Sequence, residues 1–596
     1  MTVASGGVPG NLRLIGSEML VWSDDEPQQQ RTPAGGAVLV ELLTELVRPG
    51  GRAFVAGLHD DAVLSVLEAE SMQVTCLLRS YPDAAKAAKA HPGVEVLCGD
   101  LTKVDSAEPF DLVLVGGGVE RLSSADGPQL SWQERAELVA GLVGVGGTLA
   151  LVHENLLGIH RLAALTPPRG TRTDADWTPS DGFDATRPAS ARELAATVAG
   201  FGLEPSTTVL AFPHPQRPTA LVPLDLAVDP QLKVHLQAVV TTAFDQAFDG
   251  QTMLMDPRPL ASGAMRAEAG SALASAWLVV ATREGQQTLT PRALVSDERT
   301  APWPIRYELM HLDGWNRRVL GPRALVTRNV LVRDPQALDG PVPDGVPLLD
   351  HLIALGMHRD VPGLQMALAQ FAAWASTRAD ANGRVSGADV LILPSELLVV
   401  DDTFVRWDPS WSTELTVPVE VAVARSLRYF ATVLIGAGYS HPWPQLDSVD
   451  ELTRVLGGLA GYDWGGDDVL RQAVDLQAKL TGAELGLTDA EIAELRVKLT
   501  GLDQGITAPG AESVQDLRAA VERLRAELDH EKATNKWNEK LLLGREKALR
   551  KAEGRVELLS GTFTARMGKL GLALARRVLD VARRVLRRNG EEQEEA

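Results

Sequence analysis

The sequence predicts an α/β protein with a doubly wound parallel sheet, followed by a second, α+β domain and a C-terminal helical coiled coil. Three observations support this prediction. Short, almost continuously apolar segments alternate with helix-like segments over residues 36–155, as in parallel sheets buried on both faces. Strand-like pieces lie between helices over residues 230–445, which is typical of α+β domains. From Val514 onward, apolar residues recur at alternating spacings of three and four, as in coiled coils.

Length and composition limit the classes of function. A chain of 596 residues is too long for one hydrophobic core, so we expect several units. The formal net charge of -20 argues against nucleic acid as a partner. Cys76 and Cys98 are the only cysteines, so they cannot form a disulfide framework or a zinc site. We find no signal-peptide pattern and no apolar stretch of about twenty residues, so we expect a cytoplasmic location.

The elements of the first domain follow in a regular order. Residues 1–35 are rich in Gly, Pro, Gln and acids and predict a flexible N-terminal segment. The predicted strands over residues 36–155 are RAFVAG, QVTCLLRS, VEVLCGD, FDLVLVGGG and GTLALVHEN. The helices GGAVLVELLTELV, DAVLSVLEAES, PDAAKAAKAH and WQERAELVAGLV precede or separate them. A Pro/Thr/Asp-rich loop, the helix ARELAATVAGFG and the strand STTVLAFPHP complete the domain to residue 225.

The turn after the first predicted strand, RAFVAG, is where a nucleotide cofactor would bind. In nucleotide-binding α/β folds this turn is rich in glycine, because the backbone approaches the ligand closely and helix N–H groups face it. Here the turn GLHDD, residues 57–61, keeps only Gly57. The second strand ends in Leu78 and Arg79, where an acid would accept hydrogen bonds from ribose hydroxyls. The sequence therefore predicts that cofactor binding is lost or strongly weakened.

Residues 36–225 resemble class I S-adenosylmethionine-dependent methyltransferases in the order of their segments. VHENLLGIHRL (152–162) and VLAFPHPQRPTALVP (209–223) resemble a branch of that family associated with surface-polysaccharide assembly. The resemblance implies S-adenosylmethionine as cofactor, with Gly57, Asp100 and Leu101 around it. Asp60 or Asp61 is an alternative source of the ribose-binding acid, and Gly116 either approaches the ligand or only turns the chain. The resemblance also places three candidates for a catalytic base near the cleft: His153, Glu154 and His160.

Residues 230–500 contain segments that resemble the kinase and aminoglycoside-phosphotransferase superfamily. IRYELMHLDGWNRRVLGPRALVT (305–327) resembles a pair of strands of its N-terminal lobe, and ADVLILPSELLVVDDTFVRWDPSW (388–411) resembles its catalytic hairpin. The resemblance implies Asp408 as a metal ligand. Glu396 stands where that family has Asn, and a glycine-rich loop is missing, so we expect a kinase-like module without phosphoryl transfer. An unrelated α+β domain is the alternative.

Beyond a linker at 501–513, residues 514–563 predict a coiled coil. The seam runs through Val514, Leu517, Val521, Leu524 and Leu528, meets polar residues, and resumes at Leu542, Leu549, Val556, Leu559 and Phe563. Polar residues in a seam lower stability but fix register. We therefore expect a homo-oligomer, with a single amphipathic helix packed on the body as the alternative.

Residues 564–588 predict a basic amphipathic helix, before an acidic tail at 589–596. At about 100° per residue, one side carries Met567, Leu570, Leu574 and Val578, and the other carries most of the arginines. Such a helix suits an anionic membrane surface, because its apolar face enters the boundary while arginines meet lipid phosphates. Packing of the apolar face inside an oligomer is the alternative.

The combination of these parts resembles bacterial O-antigen chain-terminating methyltransferase–kinases. It implies a protein of surface-glycan biosynthesis, peripheral at the inner face of the cell membrane, with glycosyltransferases or a glycan intermediate as partners. Three hypotheses follow. The chain is a degenerate methyltransferase-fold scaffold, or an active methyltransferase that modifies a glycan hydroxyl, or a glycan-binding module without nucleotide chemistry.

Overall fold

The computed structural model describes residues 9–20, 23–25, 33–105, 108–164, 184–248, 253–285, 292–297, 302–401, 403–446, 448–501, 511–561 and 563–591. The chain divides into two units, Met1–Ala508 and Pro509–Ala596. The predicted linker at 501–513 falls mostly outside the described residues, and the predicted acidic tail does so from residue 592 onward.

Alternating strands and helices build the first part of the larger unit, as the sequence predicts. In chain order they are β1 (Leu12–Gly16), α1 (Ala37–Leu46), β2 (Arg52–Ala56), α2 (Asp61–Ala69), β3 (Gln73–Leu78), α3 (Tyr81–Ala90), β4 (Glu95–Gly99), β5 (Phe110–Val115), α4 (Trp132–Gly141), β6 (Val143–Glu154) and α5 (Ile159–Ala163). Side chains cap the first turns of two helices. Ser80 accepts a hydrogen bond from the Asp83 N–H at the start of α3, and Ser131 forms a capping box with Glu134 at the start of α4. Such caps satisfy backbone N–H groups that have no partner inside a helix.

The strands β2–β6 form a parallel sheet with the order β4-β3-β2-β5-β6. Alternate residues of each strand face separate apolar clusters, Phe54 on one side and Val55 on the other, and both are fully buried. A sheet buried on both faces explains why its strands are nearly continuous runs of apolar residues. The predicted doubly wound α/β fold is confirmed.

The predicted flexible N-terminal segment is wrong for the residues that the structure describes. The N-terminal strap, residues 9–20 and 23–25, begins with β1, which pairs in parallel with β4 at the edge of the sheet. Asn11 fixes this end, because its amide donates to the carbonyls of Ala88, His91 and Val94. Its polar composition reflects exposure at a sheet edge and not a lack of structure.

The sheet continues well beyond residue 225. The next elements are α6 (Ala191–Gly200), β7 (Glu204–Phe212), β8 (Ala220–Pro223), α7 (Lys233–Ala247), α8 (Pro257–Arg266), α9 (Gly270–Leu273), β9 (Ala276–Thr282), β10 (Ala293–Asp297), β11 (Ile305–Leu312) and β12 (Gly314–Leu320). β9 inserts between β6 and β7 and runs antiparallel to both. The boundary predicted at residues 225–230 therefore does not separate two sheets, because β9, fully buried, completes the first one.

The rest of the larger unit is an α+β region around its own apolar cluster. Its elements are β13 (Val326–Arg328), β14 (Leu331–Arg333), β15 (Gly340–Pro341), β16 (Val346–Pro347), α10 (Leu348–Met357), α11 (Val361–Ser376), β17 (Arg384–Ser386), β18 (Leu397–Val400), β19 (Thr403–Arg406), β20 (Trp411–Thr413), β21 (Thr416–Pro418), α12 (Val419–Gly436), α13 (Val449–Leu459), α14 (Asp468–Leu485) and α15 (Asp489–Gly501). Phe371 and Phe430 lie at the centre of the cluster. The strands expected in a separate N-terminal lobe, β11 and β12, instead extend the sheet of 13 strands, whose order is β1-β4-β3-β2-β5-β6-β9-β7-β8-β10-β11-β12-β15.

The smaller unit consists of two helices, α16 (Ala511–Gly561) and α17 (Phe563–Glu591). Apolar seam residues of α16 are exposed, with Leu524, Leu542 and Leu549 between 62% and 65% accessible. No described helix is long and apolar enough to cross a membrane. The helical form of this region matches the sequence pattern, and its association with a second chain stays a prediction.

Candidate functional site

The loops at the carboxyl ends of β2–β6 form the candidate site. Ligands of doubly wound sheets bind outside these ends, where the strand order reverses. In this sheet the reversal lies between β2 and β5. Gly57 follows β2 and Gly116 follows β5, so the structure brings these two predicted residues to the same crevice.

His59 fills the crevice between Gly57 and Gly116. Its imidazole is buried, Nδ1 lies 2.9 Å from the Gly57 carbonyl oxygen, and Nε2 accepts a hydrogen bond of 3.1 Å from the Gly116 N–H. Burial lowers the pKa of His59 to about 4, so the neutral ring donates through Nδ1 and accepts through Nε2. A Cβ at residue 116 would lie 2.6 Å from Nε2, so this glycine makes room for the imidazole.

Leu122 covers another side of Gly57. Its Cδ2 lies 3.4 Å from where a Cβ of residue 57 would be, and the side chain is 1% exposed. It belongs to the same apolar cluster as Leu101 and Val119. An apolar side chain from the loop after β5 therefore occupies the space through which a cofactor would approach the Gly57 backbone.

Asp60 has a structural role at the start of two helices. One carboxylate oxygen accepts a hydrogen bond of 3.1 Å from the Val63 N–H and caps α2. The other accepts from the Gly36 N–H at 3.1 Å, just before α1. Both oxygens are engaged by backbone donors, so Asp60 acts as a helix cap in this structure, and its role as a cofactor ligand stays a prediction.

Asp100 is fully buried beneath the loop that follows β5. One oxygen accepts from the N–H and hydroxyl of Thr102 at 2.9 and 2.7 Å, and the other from the Ser124 N–H at 2.8 Å. Leu101 is also buried, and its N–H donates to the Leu122 carbonyl. These bonds fasten the loop that follows β5 to the loop that follows β4.

Arg79, at the position of the expected ribose-binding acid, ties the N-terminal strap to the sheet. Its Nε and one terminal nitrogen donate to the two carboxylate oxygens of Asp24 at 2.8 and 2.6 Å, and its other terminal nitrogen donates to the Ser123 carbonyl at 3.0 Å. Asp83 completes the attachment by accepting from the Ser23 hydroxyl and the Asp24 N–H. A bidentate, buried arginine–carboxylate pair of this kind is geometrically specific.

His153 lies inside the protein at the end of β6. It is 1% exposed and lies between the rings of Trp132 and Trp277, at centroid distances of 5.0 and 5.9 Å. Its Nε2 lies 3.0 Å from the Pro188 carbonyl, to which it donates, and Nδ1 lies 3.8 Å from Glu120. Burial lowers the pKa of His153. A ring so enclosed cannot reach a solvent-borne acceptor, which argues against the predicted role as a base.

Glu154 and His160 meet, but separately from His153. One Glu154 carboxylate oxygen accepts from His160 Nε2 at 3.1 Å and from Arg161 Nε at 2.7 Å. Burial alone would raise the pKa of Glu154, but these two donors hold it below its ordinary value. Glu154 therefore stays ionised and paired, which suits anchoring of α5 better than proton abstraction.

Asp408, the predicted metal ligand, contacts a cation of the protein itself. Its carboxylate lies 3.4 Å from an Arg333 nitrogen and accepts from the Ser410 N–H at 2.9 Å and from the Ser410 hydroxyl. Among the described residues, no group of three or more His, Cys, Asp or Glu side chains is arranged to hold a metal ion. The structure gives no support to a metal at Asp408.

An open pocket lies at the opposite, amino-terminal edge of the sheet. Arg13, Arg52, Glu95 and Phe110 line it. Arg52, Glu95 and Phe110 are the first residues of β2, β4 and β5, whereas the candidate site lies where these strands end. General rules for doubly wound folds give this edge no preference for ligands.

Sequence reasoning misses the residues that close the crevice. Leu122 and Asp24 carry no motif, and their importance follows only from where loops cross the sheet. Glu120 and Arg187 are likewise unpredicted: their charged groups lie 2.8 Å apart beside His153. The unusual polarity of Arg79 at the end of an apolar strand was the available signal.

Solved structures of methyltransferases are similar to part of this chain. One is an S-adenosylmethionine-dependent methyltransferase from Mesorhizobium loti, with 14% identity, 42% of this chain and 99% of that chain covered, and a TM-score of 0.26. Another is the CcbJ methyltransferase from Streptomyces caelestis, with 14% identity, coverage of 46% and 98%, and a TM-score of 0.25. A third, from Geobacter sulfurreducens in complex with S-adenosyl-L-homocysteine, has 14% identity, coverage of 42% and 93%, and a TM-score of 0.23. No protein-family model and no curated protein matches the chain.

Proposed function

We propose that this chain is a methyltransferase-fold protein that has lost cofactor binding and acts as a membrane-associated scaffold for enzymes of bacterial surface-glycan assembly. The observation that carries the proposal is the closed crevice. His59 and Leu122 fill the space around Gly57, and Asp100 fastens the loop above it. Arg79 occupies the position where a ribose-binding acid is expected, and it pairs with Asp24.

The energetics of opening this crevice support the loss of binding. S-adenosylmethionine would have to displace the Leu122 side chain from an apolar cluster and break the hydrogen bonds that Asp100 and Arg79 make. Leaving a buried hydrogen-bonding group without its partner costs about 1–3 kcal/mol, and more when the group is charged. A micromolar ligand gains only about 8 kcal/mol in total, so such an opening cost would weaken binding by orders of magnitude.

The two C-terminal helices support the scaffold part of the proposal. On α17, the exposed apolar side chains Met567, Leu570, Leu574 and Val578 are 54–64% accessible. They face away from most of the arginines at about 100° per residue, which suits an anionic surface. The exposed seam of α16 suits a second copy of the chain. The glycan part rests on the resemblance of residues 152–162 and 209–223 to the polysaccharide branch of methyltransferases.

Calorimetry of the full chain tests the loss of cofactor binding. We expect no heat from S-adenosylmethionine or S-adenosylhomocysteine up to millimolar concentration, with an active methyltransferase as a positive control. Binding in the micromolar range would overturn the proposal and favour the alternative, an active enzyme that methylates a glycan hydroxyl. For the scaffold, a chain ending at Ala508 should fail to restore surface-glycan assembly in a deletion strain of the host bacterium, while the full chain restores it.

A further inference from the structure

A buried polar cluster lies where the large sheet meets the α+β region, remote from the closed crevice. His235 of α7, Tyr307 of β11 and Arg317 of β12 are 2%, 4% and 6% exposed. The register pairs Leu309 with Arg317 and Tyr307 with Val319, so Tyr307 and Arg317 are diagonal neighbours on one face of the hairpin. The His235 ring lies 6.3 Å from that of Tyr307.

Arg317 is a buried cation without a carboxylate partner. No carboxylate of the described residues lies within 4.0 Å of its guanidinium nitrogens. One terminal nitrogen donates to the Trp407 carbonyl, and Nε has no hydrogen-bond partner among the described residues. Burying an unpaired charge is costly, so a negative charge beside this guanidinium would stabilise the folded protein.

The acids nearest to Arg317 are already engaged. Asp408 contacts Arg333 at 3.4 Å and the Ser410 N–H at 2.9 Å. Asp339 contacts Arg323 at 2.8 Å and accepts from the Val319 N–H at 2.6 Å. Burial lowers the pKa of the Arg317 guanidinium, and these two carboxylates offset that only in part, without lying within 4.0 Å of its nitrogens.

Two further buried groups in the cluster lack partners in the described part of the chain. Neither ring nitrogen of His235 has a hydrogen-bond partner, and the Tyr307 hydroxyl has none. Burial, and then the positive charge of Arg317, lower the pKa of His235 to about 3, so the ring is neutral and offers one N–H donor. Three buried side chains therefore present N–H or O–H donors without hydrogen-bond partners among the described residues, and one of them is a cation whose charge is offset only in part.

We propose that Arg317, His235 and Tyr307 form a buried binding site for a small oxyanion. An oxyanion would supply the missing counter-charge and accept hydrogen bonds from the guanidinium Nε, the imidazole N–H and the phenol. Arginine matches the planar geometry of carboxylate and phosphate oxygens. Since all three side chains are more than nine-tenths buried, the site takes a small ion, such as inorganic phosphate or acetate, and not the end of a polymer.

Calorimetry of the full chain with inorganic phosphate, and separately with acetate, tests this site at constant ionic strength. We expect one of the two ions to bind, and Arg317→Met to weaken that binding by about tenfold or more, as for loss of a charge-assisted hydrogen bond. Arg306→Met is the matched control on the opposite face of the same hairpin and should bind as the wild type does. Equal binding by Arg317→Met, or no heat from either ion, would overturn the proposal.

A second variant guards against failure to fold. Tyr307→Phe removes only the hydroxyl and keeps the ring in the apolar cluster, so it should fold and bind the ion several-fold more weakly. Unchanged affinity in Tyr307→Phe would contradict the part of the proposal that concerns the phenol. The closed crevice has no role in either measurement, so the result is independent of the proposed scaffold function.

Discussion

At the residue scale, the imidazole of His59 occupies the space between the turns that follow β2 and β5. His59 bonds to both Gly57 and Gly116, and so links the turn after β2 to the turn after β5. A glycine at residue 59, as in a cofactor-binding turn, would leave this space open to a ligand. The same residue makes the protein sensitive to acid, because the ring must stay neutral.

The buried histidines predict loss of stability at low pH. The pKa of His59 is about 4 in the folded chain, against 6.5 unfolded, so the unfolded state binds more protons between those values. Stability is therefore present above pH 6.5 and falls as the pH drops toward 4, by about 2 kcal/mol at pH 5. Thermal unfolding of His59→Gln should lose less stability between pH 7 and pH 5 than the wild type. His351→Gln, on the exposed side of α10, should behave as the wild type, and equal slopes for all three would contradict the prediction.

The Arg79–Asp24 pair predicts a non-additive response to mutation. Asp24→Ala leaves the buried Arg79 without this carboxylate and should destabilise the fold by about 3–5 kcal/mol. The double variant Asp24→Leu/Arg79→Met removes both charges and should lose less than Asp24→Ala alone. Chemical unfolding followed by circular dichroism measures both. If the double variant loses as much stability as Asp24→Ala or more, the pair has no coupling and the strap is held by other contacts.

At the element scale, two helices present apolar faces that their own unit does not cover. The α16 seam continues over many turns, and α17 combines an apolar face with an arginine-rich one. Most helical stability in water comes from packing of an apolar face. We therefore predict that a partner helix or a lipid surface covers these faces.

The α16 seam predicts self-association through named leucines. Leu542→Lys/Leu549→Lys places charges in the seam and should weaken association by about tenfold or more. Leu543→Lys is the matched control, because this leucine is equally exposed but falls outside the seam. Analytical ultracentrifugation gives the oligomeric state of each. A monomeric wild type would refute the coiled-coil prediction.

The α17 helix predicts binding to anionic vesicles. Leu574→Asp/Val578→Asp should reduce co-sedimentation with equimolar phosphatidylglycerol and phosphatidylcholine vesicles by about tenfold, because charges cannot enter the boundary. Ala573→Asp, on the polar side, should have a much smaller effect. Wild-type binding should also fall as salt rises, since arginines attract lipid phosphates. Equal binding by all variants would favour the alternative, that the apolar face packs in an oligomer.

At the scale of the whole molecule, one sheet of 13 strands joins parts that composition separates. β9 links residues after 230 to the first part of the sheet, and β11 and β12 continue it. The chain therefore has its main division near residue 508 and not near 230. A split within a shared sheet would expose long strand edges.

This division predicts how the chain responds to truncation. Residues 1–508 should unfold thermally within about 2 °C of the same transition in the full chain, because they form a compact unit of their own. Residues 1–230 should fail to fold, because they lack β9, which lies between β6 and β7. Differential scanning calorimetry distinguishes the two. A stable 1–230 fragment would contradict the assignment of β9 to the first sheet.

The sequence by itself determined the local elements and the fold class. Runs such as Phe54–Ala56 and the alternation with helices are sufficient, because burial on both faces of a parallel sheet requires apolar strands. The heptads of α16 and the faces of α17 follow from helical periodicity alone. The departure of GLHDD from a glycine-rich turn is the basis for predicting weakened cofactor binding, which stays a prediction.

Only the tertiary structure decided which side chains lie around Gly57 and where the first sheet ends. Leu122, in the loop after β5, packs against Gly57. Asp24 pairs with Arg79 although the polar composition of its segment predicts no structure. β9 pairs with β7 although it lies beyond the predicted domain boundary. The sequence predicts His153 as a candidate catalytic base, but in the structure its ring lies between two tryptophan rings. These features depend on contacts between residues far apart in the chain, and local patterns of hydrophobicity and spacing carry no information about them.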